Sequence, residues 1–150
     1  MVMRRSSTGT VESPPVDWRA AALGALVQTA AFAGCYLAVA EAGGSPWLLA
    51  ASLPVGGLVA GWAGRGHRGG HADGIAACSG GVVGSWVASG VLTWVVTAGA
   101  SPGVRGDLTF IVAGWGLAAL IVLVPVWVVA GAVAGLLGTR LPVSSPGFVG

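Results

Sequence analysis

The chain has 150 residues, of which 55% are hydrophobic and only 8% are charged, and its formal net charge is +2. A soluble domain carries roughly 25% charged residues, so this chain has too few charges to cover a surface that faces water. The small net charge and the lack of a basic stripe among aromatic residues argue against a nucleic-acid partner. Composition therefore predicts membrane lipids as the chain's partners, and four apolar stretches predict an all-α transmembrane four-helix bundle.

The chain opens with a tail, residues 1–17, that is rich in Ser, Thr and Pro and is expected to be disordered. The first predicted span, at about 20–40, is apolar and uncharged, and it is long enough to cross the hydrocarbon core. Arg4 and Arg5 ahead of it resemble the start of a twin-arginine signal. The apolar run exceeds the length of a signal core, which favours a retained span over a cleaved one.

The second predicted span covers about 47–63 and contains Pro54. Proline removes one backbone donor and bends a helix, so a kink is expected there. Gly57 and Gly61 are four residues apart and leave one side of this helix nearly flat. Small residues at this spacing let transmembrane helices approach closely, so we predict that these two glycines mediate helix packing.

A polar loop, "GRGHRGGHADG", follows the second span. His67 and His71 are four residues apart and would form a metal site with Asp73 if the loop were helical. The glycines disfavour a helix there, and the positive charges of Arg65 and Arg68 oppose a bound cation. We therefore expect no metal and no cofactor, and interpret the loop as a turn whose arginines meet anionic lipid headgroups.

The third predicted span covers about 74–96, in which Gly80 and Gly84 repeat the four-residue spacing. It contains serines and a threonine but no ionisable residue of the kind that marks catalysis or ion transport inside a membrane. These hydroxyls are expected to hydrogen-bond within or between helices.

The fourth predicted span, at about 108–137, is long enough to tilt and contains Pro125. Gly131 and Gly135 form the third pair at four-residue spacing and are also predicted packing residues. The transmembrane domain is thus predicted to cover 18–138, followed by a short tail, 139–150.

Two segments of the chain look alike: "PVGGLVAGWAG" begins at Pro54 and "PVWVVAGAVAG" begins at Pro125. The similarity suggests two tandem hairpins, each made of a long helix, a turn and a helix with a proline. Such a duplication would be a parallel repeat, because both hairpins start on the same side of the membrane.

The arginines predict the orientation, because basic residues in short loops resist translocation. One side of the membrane would hold six of them: Arg4, Arg5, Arg19, Arg65, Arg68 and Arg140. The other side would hold only Arg105. Both termini and the polar loop are therefore expected in the cytoplasm.

Three segments resemble a known family: "VDWRAAALGALV" at Val16, "GGLVAGWAG" at Gly56 and "HADGIAACSGGVVGS" at His71. They are similar to small four-span membrane proteins of halophilic archaea whose function is unknown. The resemblance covers about 16–138 and implies an archaeal cell membrane, but it carries no activity over to this chain. The polar loop has more arginine and histidine than that family's pattern.

The sequence favours a structural or accessory subunit of the cell membrane over an enzyme. No His or Lys lies near a serine in sequence to activate it, and Cys35 and Cys78 lack the spacing of a redox motif. The alternative is a small oligomeric channel or transporter for a neutral solute, with its path lined by Gln28, Ser85, Ser89 and Thr93. A second copy or another membrane protein would be the partner.

The predicted orientation is tested with a reporter that is active only in the cytoplasm. When it is fused after Gly43, the reporter should be inactive, because this position follows the first span. The same reporter fused after Gly70 should be active. Activity at Gly43 would contradict the predicted topology.

Overall fold

A computed structural model describes residues 16–64 and 69–142. In these two ranges the chain forms α-helices and no strand, which confirms the predicted all-α helical bundle. The helices are α1 (Trp18–Ala42), α2 (Trp47–Ser52), α3 (Val55–Ala63), α4 (Gly70–Val96), α5 (Pro102–Val122) and α6 (Val124–Arg140).

Three of these helices, α1, α4 and α5, are long and apolar enough to cross a membrane. Two shorter apolar stretches accompany them, the α2–α3 segment Trp47–Ala63 and helix α6. The chain is therefore a membrane protein by the length and composition of its helices.

Local signals in the sequence set the ends of α1. The Asp17 carboxylate accepts hydrogen bonds from the backbone N–H groups of Arg19 (3.0 Å) and Ala20 (3.3 Å), which caps the helix. At the other end Gly43 has a φ of 66°, a left-handed conformation that glycine adopts without strain. We call these two ends of the bundle the Asp17 end and the Gly43 end.

Each internal proline coincides with a helix interruption. Helix α2 ends at Ser52, just before Pro54, and α5 ends at Val122, just before Pro125. The segment predicted as a single span at 108–137 therefore comprises two helices, because proline cannot donate to the carbonyl one turn earlier. At the first interruption the Cys78 thiol of α4 donates a 3.7 Å hydrogen bond to the carbonyl of Leu53.

The helices pack as two parallel pairs. Helix α1 runs parallel to α4: the N–H of Asp17 donates to Asp73 Oδ1 (2.8 Å) at one end, and Tyr36 Oη lies 2.7 Å from Thr93 Oγ1 towards the other. Helix α3 runs parallel to α6 and antiparallel to α1 and α4, as the glycine contacts described below require. This arrangement is the one expected for two tandem hairpins, and their duplication stays a hypothesis.

The distribution of side chains is the reverse of that in a soluble protein. Among the described residues the buried apolar side chains are small: Ala20, Ala21, Ala60, Ala77, Cys78 and Ala134. Large apolar residues lie outside, including Phe110 (79% exposed) and Trp115 (75% exposed). Such a surface is stable only where lipid covers it.

Glycines bring α3, α4 and α6 into backbone contact. A Cβ on Gly74 would lie 2.7 Å from Gly135 Cα, and a Cβ on Gly131 would lie 2.8 Å from the Gly74 carbonyl oxygen. A Cβ on Gly61 would lie 2.8 Å from the carbonyl carbon of Gly135. Real Cβ atoms do not approach other atoms this closely, so only glycine fits at these positions. We call this contact between α3, α4 and α6 the glycine seam.

The six glycines predicted to pack helices divide into two groups. Gly57, Gly61, Gly131 and Gly135 are buried in the seam, where a Cβ on Gly57 would lie 2.8 Å from Ala134 Cβ. Gly80 and Gly84 instead lie against α1, next to Ala25 and Thr29, and are less buried.

The seam predicts opposite effects of alanine at two helical glycines. Gly135→Ala should lower the free energy of unfolding by about 1–3 kcal/mol, the usual cost of overpacking. Gly114→Ala should be neutral or raise that energy by about 0.5–1 kcal/mol, since no atom lies within 4 Å of its Cβ and alanine favours helix. Unfolding in detergent measures both variants, and equal changes would contradict the seam.

Candidate functional site

Buried polar side chains follow one another along α4 and the face of α1 that packs on it. On α4 they are Asp73, Ser85, Ser89 and Thr93, whose exposed fractions range from 0% to 8%. Helix α1 contributes the buried Gln28 and the partly buried Tyr36. At about 1.5 Å per residue, Asp73 and Thr93 lie about 30 Å apart along α4, roughly the thickness of the hydrocarbon core. We call these six residues the polar column.

Gln28 is the largest buried polar residue of the column, with 0% of its surface exposed. Its side chain fits between two glycines. A Cβ on Gly56 would lie 2.9 Å from Gln28 Cβ, and a Cβ on Gly81 would lie 2.6 Å from Gln28 Oε1. Neither Oε1 nor Nε2 has a hydrogen-bond partner within the described ranges. Leaving each such group unpaired costs about 1–3 kcal/mol, so this amide has an unused capacity to bind.

The hydroxyl groups of the column donate to their own helix. Ser85 donates to the carbonyl of Gly81, Ser89 to that of Trp86 and Thr93 to that of Ser89, each at 2.7 Å. Their protons are thus occupied, while oxygen lone pairs remain that can accept hydrogen bonds. The column therefore offers hydroxyl acceptors on α4 and one amide, Gln28, that can both donate and accept.

Asp73 joins three helices at the Asp17 end of the bundle. Its side chain is fully buried, and Oδ1 accepts the hydrogen bond from the Asp17 backbone N–H. Its Oδ2 lies 2.7 Å from the position of a Cβ on Gly64, which follows α3. No partner for this oxygen occurs in the described segments. The carboxylate thus fixes the start of α1 against α4, and α3 ends beside it.

The predicted weak metal ligands do not form a cluster in the described residues. Asp73 is buried whereas His71 is exposed, because residues two positions apart on a helix face different directions. His67 lies outside the described residues. No group of three potential metal ligands occurs between 16 and 64 or between 69 and 142.

The described arginines lie at opposite ends of the bundle. Arg19 and Arg140 lie at the Asp17 end, in the first turn of α1 and the last turn of α6. Arg105 lies at the Gly43 end, where its Nη2 donates to the Trp94 carbonyl (2.8 Å) and its guanidinium stacks 4.1 Å from the Trp94 ring. The remaining arginines, Arg4, Arg5, Arg65 and Arg68, lie outside the described ranges.

Sequence reasoning identified Gln28, Ser85, Ser89 and Thr93 as path-lining candidates, and the structure brings them together inside one bundle. The sequence argument had expected the path to need several copies of the chain. It missed the contact between Asp17 and Asp73, which are distant in sequence, and the roles of Gly56 and Gly81 beside Gln28. Asp17 could have been recognised as a cap, because it directly precedes the first apolar helix.

Comparison with known proteins gives no relative from which a function can be transferred. No protein-family model matches the chain, and neither a curated protein nor a solved structure gives a significant match. Function is therefore inferred from the geometry of the bundle.

The role of Asp73 is tested by two substitutions. Asp73→Ala should lower the free energy of unfolding by about 1–3 kcal/mol, because the partly buried Asp17 N–H loses its acceptor. Asp73→Asn should retain most of that stability, since an amide oxygen can still accept. Asp107→Ala, at an exposed position on α5, is the control. Equal unfolding midpoints for the Ala and Asn variants would refute this role.

Proposed function

We propose that this membrane protein binds a small neutral solute in the polar column and passes it across the bilayer. The observation that carries the proposal is Gln28, a fully buried carboxamide with both polar atoms unpaired. Polar groups inside a membrane protein are costly and generally mark function. A solute with its own donors and acceptors would supply the hydrogen bonds that this amide lacks.

A neutral solute fits the column better than an ion does. Between Asp73 and Thr93 the buried polar groups of the column are hydroxyls and an amide, and no charged side chain lies among them. Ion pathways are commonly lined by rings of carbonyls or charged side chains. The column offers neutral acceptors and one amide donor, which match a solute such as urea or a polyol.

Gln28 would control passage in this mechanism. The carboxamide occupies the space between Gly56 and Gly81, so the column is closed at this level. The side chain has several rotatable bonds and is surrounded by glycine, so a rotation about them would open the column without separating the helices. The bundle would therefore act as a narrow path with one polar gate.

A structural or accessory subunit is the second candidate function, and α5 favours it. This helix has no buried residue and packs mainly on α4. Its outer face has a groove of about 330 Å³, lined by Phe110, Ile111, Gly114, Trp115 and Ala118. Gly114 and Ala118 have the spacing that lets transmembrane helices approach. A partner helix, from a second copy or another membrane protein, would pack there.

The two candidates are separated by solute flux in proteoliposomes, measured by stopped-flow light scattering with urea and glycerol as probes. Solute passage predicts permeability above that of protein-free liposomes for at least one probe. Ser89→Leu should abolish the excess, because leucine fills the column, whereas Ser79→Leu, on the exposed face of α4, should leave it unchanged.

If neither probe shows permeability above that of protein-free liposomes, solute passage is contradicted and the subunit role is favoured. Equal flux through the Ser89→Leu and Ser79→Leu variants would show that the solute does not follow the polar column. Circular dichroism of each variant in the same liposomes controls for folding.

The location that goes with this function is the cell membrane, with both termini in the cytoplasm. The separation of Arg19 and Arg140 from Arg105 supports this orientation. The resemblance to four-span proteins of halophilic archaea supports an archaeal membrane.

A further inference from the structure

A cavity of about 460 Å³ lies between α4 and the two interrupted helical segments. Its wall includes Leu53, which follows α2, together with Trp86 of α4, Ala119 of α5 and Trp127 of α6. Sites for small molecules are usually mostly apolar, with volumes of about 300–1,000 Å³. The cavity falls within this range, so it is large enough to hold a small molecule.

The two prolines account for the position of the cavity. Leu53 directly precedes Pro54, and Trp127 follows Pro125 by two residues. An interrupted helix does not continue to pack along its neighbour, so space remains beside each interruption. Both spaces border the same part of α4, between Val82 and Ser89. The cavity therefore results from the two proline interruptions.

The polar atoms of the wall are few and of defined character. Ser85 and Ser89 line the cavity, and their protons are already donated within α4, so these oxygens act as acceptors. The Trp86 indole N–H donates to the Ala113 carbonyl at 2.9 Å. The Trp127 indole N–H is buried and has no hydrogen-bond partner among the described residues. That nitrogen has less than 1 Å² of accessible surface, so the wall offers a ligand the two hydroxyl acceptors rather than this donor.

We propose that this cavity binds an uncharged, lipid-soluble alcohol. A hydroxyl group can donate a hydrogen bond, so it matches a wall that offers the serine acceptors. The apolar body of the ligand would contact Leu53, Trp86 and Ala119. A charged ligand does not fit, because none of the lining residues is charged. This site shares Ser85 and Ser89 with the polar column, but its ligand is held by the cavity and does not cross the bundle.

The proposal is tested by equilibrium binding of two radiolabelled probes to the purified full chain in nanodiscs. The probes are farnesol and farnesene, which share a hydrocarbon skeleton and differ by the hydroxyl group. Wild-type protein should bind farnesol more tightly than farnesene. Ser85→Ala removes an acceptor from the wall and adds no bulk, so it should weaken farnesol binding about fivefold, the equivalent of one hydrogen bond. Farnesene binding should not change.

A matched pair on α5 tests the location of the site. Ala119→Phe should abolish binding of both probes by filling the cavity, whereas Ala118→Phe, which lines the outer groove of α5, should not affect it. Unfolding in detergent shows whether each variant is folded, and the α5 pair tests the site without altering Ser85. Equal wild-type affinity for the two probes, or no binding of either, would overturn the proposal. A failed flux experiment would leave these results unaffected.

Discussion

The structure depends on the approach of three helix backbones at the glycine seam. At Gly61, Gly74, Gly131 and Gly135 any side chain would collide with backbone atoms of a neighbouring helix. Lipid supplies no hydrophobic force between helices, so van der Waals contact over such flat faces has to hold them together. The seam also explains why the interior of the described bundle is built from alanine and glycine while large apolar residues face outwards. Lipid is the solvent that makes this arrangement stable.

The same close packing defines where function can occur. A core of small residues has little space for longer side chains, so each buried polar group requires a specific local arrangement. Gln28 fits because Gly56 and Gly81 lack side chains, and Asp73 fits beside Gly64. Helix α5 has no place in the seam and packs only on the outside of the bundle. The cavity forms where the proline interruptions end the close contact. The polar column, the outer face and the cavity are thus three consequences of one packing mode.

Much of the fold and part of the candidate site could be predicted from the sequence, because hydropathy and residue spacing are local properties. The helical class, the membrane location and the grouping of Gln28 with Ser85, Ser89 and Thr93 all follow from local patterns. The division of 108–137 into α5 and α6 was not predicted, because a proline can either bend a membrane helix or end it. The Asp17–Asp73 contact and the cavity depend on residues far apart in the chain, and their positions follow only from how the helices pack.

The most direct test of the packing is a disulfide across the α1–α4 contact. A Cβ on Gly80, at the exposed edge of that contact, would lie 3.2 Å from Ala25 Cβ, close to the separation in disulfides. In the variant Ala25→Cys with Gly80→Cys, mild oxidation should leave two fewer thiols open to alkylation, as counted by intact mass spectrometry, and reduction should restore both. If the number of alkylated thiols is unchanged after oxidation, the helices do not pack in this register and the account is wrong.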